Sequence, residues 1–276
     1  MLMLLCLYDQ AIWSEGPVWW EQQQLLVWSD VEGRRVLAWQ PDGSVGVLLD
    51  ATMFTNGNAI DADGNLIHCE QGRRGISRTL ADGLTVMIVT HYADKRLNSP
   101  NDLAVAPDGA IWFTDPTYGL TQPRQGCPAE PALDHRSVYR YDLVTHQLTR
   151  AADLEQPNGI AFSPDGHTLY VSDTSLKAGG HKHEIVAFTV EPDGRLGNPR
   201  TFATIEPGVP DGMFVDTRGW VWTSSGSGVQ IFSAEGERLG EVPTPSLCSN
   251  CTLGGPSGNR LFITGEAHLW AIDLRS

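Results

Sequence analysis

Residues 99–115, SPNDLAVAPDGAIWFTD, decide how the rest of the chain is read. Leu103 and Val105 alternate as in a strand, Asp108-Gly109 is a hairpin turn signal, and Ile111 and Phe113 mark a returning strand. Asn101 stands bare and polar at the mouth of the first strand. With Asn101 as position zero, the turn falls at +7 and +8. The same frame fits NGNAIDADGNLIHCE from Asn56, PNGIAFSPDGHTLYVSD around Asn158, PDGMFVDTRGWVWTS around Asp211 and SNCTLGGPSGNRLFITG around Asn250. A looser copy, SEGPVWWEQQQLLVWSD, starts the series at Glu15, with Gln22-Gln23 in the turn.

The zero positions lie 41, 45, 57, 53 and 39 residues apart. Further strand-like runs follow each hairpin, such as RRVLAWQPDGSVGVLLD and HEIVAFTVEPDGRLGNPRTFA, giving about four strands per repeat. Helical periodicity is nearly absent, and Gly (29) and Pro (17) punctuate short apolar runs. The expected fold is all-β: a six-bladed β-propeller with four-stranded antiparallel blades, one domain over residues 1–276. A pair of β-sandwiches fits six copies in one register less well. The apolar opening MLMLLCLYDQ is expected to add a strand to the last blade and close the ring, removing a free sheet edge. It is too short, and lacks a basic region and a cleavage site, for a signal peptide. TYGLTQPRQGCPAEPALDH and SLKAGGHKHE read as loops on one face.

The 276 residues carry a formal net charge of −14. No basic stripe marks a nucleic-acid surface and no apolar run spans a membrane. Five scattered cysteines suit a reducing compartment, so a cytoplasmic protein is expected. Cys248-Ser-Asn-Cys251 has no second pair and no βαβ context, which argues against zinc or redox work.

In a propeller the innermost strands line the central channel, so the zero positions form a ring at one end. That ring holds Glu15, Asp211, Asn56, Asn101, Asn158 and Asn250. Asn or Asp before Gly is a common turn former, but Glu15 before Gly-Pro is not. All six are oxygen donors of the kind a hard divalent cation prefers, and no lysine or arginine is expected to neutralise them. Calcium is the first expectation. Mg and Mn suit the same oxygens, and mixed O/N donors would admit Zn or Fe(II).

The motifs SEGPVW, SPNDLAVAPDGAIWFTDPTYG, QPNGIAFSPDG, PDGMFVD and SNCTLGG closely resemble the gluconolactonase, senescence-marker-protein (SMP-30) and luciferin-regenerating-enzyme family, most of all its bacterial gluconolactonase branch. The resemblance covers nearly the whole chain. It implies a six-bladed propeller with one divalent metal in the channel, held by Glu15, Asn158 and Asp211, with Asn101 contacting substrate. It implies hydrolysis of a sugar lactone; related propellers hydrolyse organophosphates. Two positions depart from the animal members: Ser99 stands where they carry an Arg, and PTYG where they carry a Glu.

The resulting expectation is a metal-dependent lactonase converting a gluconolactone-like sugar lactone to the aldonic acid. The alternatives are a hydrolase of other lactones, esters or organophosphates on the same site, and a non-catalytic binding propeller. Asp211 is the candidate general base, and Tyr118 a candidate substrate-pocket wall. No G-x-S-x-G elbow supports serine catalysis. His68 and His268 are expected in the core, and His181-Lys182-His183 on the surface. Trp112 and Trp222 read as core. Asp30, Asp115 and Asp173 read as hydrogen-bond staples at second-strand ends.

Overall fold

The computed structural model describes residues 3–80 and 82–274. Each repeat folds as its pattern dictates. The stretch that opened the reading becomes strands Leu103–Val105 and Ile111–Asp115, paired Leu103 to Phe113 and Val105 to Ile111 across the Asp108-Gly109 turn. Ser137–Tyr141 and Leu148–Asp153 complete that four-stranded antiparallel sheet. Six such sheets form. Their inner strands are Ser14–Trp20, Thr55–Ile60, Leu103–Val105, Pro157–Phe162, Met213–Val215 and Asn250–Gly254. Each inner strand touches the next in chain order, and the last touches the first, so the blades close a ring.

The N-terminal strand closes the sixth blade, as the sequence predicts. Leu5–Tyr8 runs antiparallel to His268–Asp273 and becomes the outer strand of the sixth blade; Met1 and Leu2 lie outside the described residues. Tyr8 then meets Trp28 of the first blade edge-on at 5.6 Å, and Phe262 of the sixth blade packs between Trp19 and Trp39 of the first.

Six hydrophobic clusters lie between blades, one per interface. Successive side chains of a strand point to opposite faces. In Ile111–Asp115, Ile111 and Phe113 pack toward the second blade and Trp112 toward the fourth. Both faces are covered, so the strand is buried throughout rather than half-polar. Trp222 likewise sits in the core between the fifth and sixth blades.

Two details depart from the pattern. The loop at 117–135 contains a short helix, Tyr118–Thr121, and the first hairpin turns through a 3-10 segment, Glu21–Gln23, instead of Asp-Gly. The five cysteines are free thiols. Among the described residues no helix is long and apolar enough to cross a membrane.

The aspartates at second-strand ends hold the crossovers from blade to blade. Asp30 accepts the N–H groups of Ile12, Trp13 and Gly33, and Asp173 those of Glu155, Gln156 and Ser175. Asp115 accepts from Asn98 N–H at 2.8 Å, while its Oδ1 has no partner. Burial pushes the Asp115 carboxyl up to about 7.

Two stability outcomes follow. A Cβ at Gly159 would collide with the backbone of Asp211, whereas one at Gly46 meets nothing. Gly159→Ala should therefore cost about 2 kcal/mol or more in urea unfolding, and Gly46→Ala should be neutral within about 0.5 kcal/mol. For Asp115 the folded state keeps a proton that the unfolded chain, with an ordinary carboxyl near 3.8, releases. Stability should thus fall as pH rises from about 4 to about 7 and level off above. In Asp115→Asn that component disappears, which paired urea midpoints across this range will measure.

Candidate metal centre

The mouth positions are set by backbone before side chains. Each is tied to a neighbouring blade. Ser29 Oγ donates to the Asn56 carbonyl at 2.7 Å, and Gly57 N–H to the Asn101 carbonyl at 2.8 Å. Thr114 Oγ1 donates to the Asn158 carbonyl at 2.6 Å. Ser172 Oγ at 2.8 Å and Gly159 N–H at 3.0 Å both donate to the Asp211 carbonyl. Gly212 N–H reaches the Ser249 carbonyl at 2.7 Å, and Ser249 Oγ closes the circle on the Ser14 carbonyl at 2.6 Å. The glycine after the zero position allows this approach: at Gly57, a side chain would strike the backbone of Asn101 and Asp102.

The result is a cavity of about 200 Å³. Glu15, Asn56, Asn101, Asn158 and Asp211 line it, and each is at least nine-tenths buried. Tyr118 also lines the cavity, and its hydroxyl lies 2.5 Å from Thr174 Oγ1.

Three expectations need correction. Asn250 does not join the ring: its Nδ2 reaches Asp102 Oδ2 at 3.4 Å, and its Oδ1 accepts the Cys251 N–H at 2.8 Å. The pull comes from Asp102, which occupies the position that is glycine in four other blades. Asp102 is buried in the channel, and burial raises its carboxyl to about 7. Second, the site does contain a cation. Lys177 enters the cavity from the 3-10 turn Ser175–Ala178 and places Nζ 3.0 Å from Asp211 Oδ2. Third, SLKAGGHKHE is therefore more than a surface loop. Lys177 is a lone basic residue in a non-periodic segment, and no sequence signal marks it. Gln122, Gln125, Trp13 and Leu247 complete the wall and were likewise unmarked.

The histidines stay out of the site. His68 is fully buried, with Nδ1 2.6 Å from Asn58 Oδ1 and Nε2 2.9 Å from Thr79 Oγ1; burial lowers it to about 4. His268 stacks on Trp270 at 4.7 Å. His181 is exposed, and His183 is bonded to the Ile205 carbonyl. Cys248 and Cys251 are buried, and burial raises both thiols.

The charge balance identifies what the cavity can take. Glu15 is pushed well above the usual carboxylate range, first by burial and then by Asp211 and Asp102. Its oxygens have only weak donors nearby, Trp13 Nε1 at 3.4 Å and its own Gly16 N–H at 3.3 Å. Asp211 in turn holds the Lys177 ammonium firmly charged. Two buried acidic groups, Glu15 and Asp211, line the cavity with three asparagine carboxamides, and the one ammonium there bonds Asp211 and not Glu15. That donor set fits a hard divalent cation.

Residues 13–267 match the profile of the SMP-30/Gluconolactonase/LRE-like region. A gluconolactonase of Zymomonas mobilis is 33% identical over 92% of this chain and 76% of its own length. The crystal structure of a gluconolactonase from Xanthomonas campestris superposes with a TM-score of 0.95 at 57% identity, covering 99% of this chain and 90% of that one. A calcium-binding regucalcin from Agrobacterium tumefaciens shares the fold, with a TM-score of 0.79 at 19% identity over 98% and 94% of the two chains. The chain belongs to the SMP-30/gluconolactonase/LRE-like family.

Proposed function

We propose that the chain is a metal-dependent sugar lactonase, opening a gluconolactone-like ring to the aldonic acid, and that it works as one propeller unit. The observation that carries this reading is the convergence of Glu15, Asn158 and Asp211, from three blades, on one buried, electron-rich cavity. The gluconolactonase relatives supply the reaction class. Glu15, Asn158 and Asp211 would hold the ion, calcium in the first instance by likeness to the calcium-binding regucalcin.

A bound divalent ion supplies polarisation of the lactone carbonyl and balances the oxyanion that develops. The remaining work falls to the chain. Asn101 lines the cavity with a carboxamide that can donate to one substrate oxygen and accept from another. The Asp211 carboxylate acts as general base. It takes a proton from water as the water oxygen bonds to the carbonyl carbon. The bond from that carbon to the ring oxygen then breaks, and the proton passes to the ring oxygen, which becomes a hydroxyl. Trp13, Leu247 and the Tyr118 ring give the mouth its few apolar surfaces, against the amides of Gln122 and Gln125. This favours a polyhydroxylated ring over an aryl ester or phosphotriester.

Titrated acid release from gluconolactone and xylonolactone tests the reading. Activity should vanish on chelation and return with added ion. Asp211→Ala should lose about a hundredfold or more. Glu15→Gln should weaken ion binding measured by calorimetry. Faster turnover of a phosphotriester or aryl ester than of either lactone would overturn the substrate assignment.

A further inference from the structure

Among the described residues, Lys177 is the one cation lining the cavity, and its backbone is held on several sides. Thr174 and Ser175 beneath it are buried. Ser175 N–H donates to Asp173 Oδ1, Lys177 N–H to the Thr174 carbonyl and Leu176 N–H to the Lys182 carbonyl. Ser175 Oγ bonds Glu155, and Tyr118, from the neighbouring blade, braces Thr174 through its hydroxyl. Gly179, with φ of +84°, turns the chain back at the end of the segment. The backbone is thus fixed, while the lysine side chain is four-tenths exposed. Its ammonium reaches past Asn158's blade to Asp211 in the next one.

We propose that Lys177 is a displaceable internal cation: its ammonium holds Asp211 while no divalent ion is bound, and ion and ammonium compete for that carboxylate. This rests on the reading of Glu15, Asn158 and Asp211 as the ion's holders. The ammonium occupies one Asp211 oxygen at 3.0 Å, and a divalent ion on the same carboxylate would meet its positive charge at close range. The exchange lowers ion affinity, and it spares the empty site the full repulsion between Asp211 and Glu15. The long stem lets the ammonium swing toward the mouth without moving the anchored turn.

Calorimetric titration of chelator-stripped protein with Ca²⁺ and with Mn²⁺ tests this in wild type, Lys177→Met and Lys177→Arg. Lys177→Met should bind each ion about tenfold more tightly, as expected when one charge-assisted contact no longer competes. Lys177→Arg, which keeps the charge, should remain near wild type. Thermal melts supply a second measurement. Stripped Lys177→Met should melt below stripped wild type, and the gap should close in saturating Ca²⁺. A lysine that serves only as a structural strut would leave ion affinity unchanged or weaker on removal. Either result, with wild type binding normally, overturns the proposal. If wild type binds neither ion, the ion-site reading falls first and the proposal falls with it.

Discussion

The circle of hydrogen bonds joining the mouth residues is the constraint on which the site depends. Each link fixes a main-chain group of one blade against its neighbour at 2.6 to 3.0 Å. Such spacing leaves no room for a side chain at the next position, so glycine follows Glu15, Asn56, Asn158 and Asp211. Once the backbones are tied, the side chains one position earlier have a single direction left, into the channel. The geometry of the mouth is a by-product of ring closure.

Closure also creates an electrostatic burden. Glu15 and Asp102 are buried near Asp211, and burial first, then the neighbouring acidic groups, penalises their charged forms. Six inter-blade clusters provide the stability against which this cost is set. Removing apolar area from water contributes roughly 25 cal/mol per Å², and strands such as Ile111–Asp115, buried on both faces, contribute twice over. The scaffold therefore tolerates a mouth that is locally unfavourable.

What the sequence discloses follows from repetition. The hairpin turn, the mouth residue and the glycine after it recur because the same steric and hydrogen-bonding demand acts in every blade. The frame read from Asn101 thus found six inner strands and five cavity residues. Features that occur once leave no such trace. Lys177 and Gln122 sit in insertions without a period. Asp102 breaks the glycine rule, and its effect on Asn250 acts between residues 148 positions apart. The Tyr118 position was legible, but the direction of its hydroxyl depends on Thr174 in another blade.

The asymmetry of those insertions gives the site its orientation. Carboxylates enter from the first and fifth blades and carboxamides from the second, third and fourth. The long loops of the third and fourth blades add Tyr118, Gln122, Gln125 and Lys177, all beside the blades that carry Asn101 and Asn158. A ligand at the mouth thus meets amide and ammonium donors from the loop side and acidic oxygens from below. Changes in loop chemistry can then alter what the mouth holds while the repeated frame stays fixed.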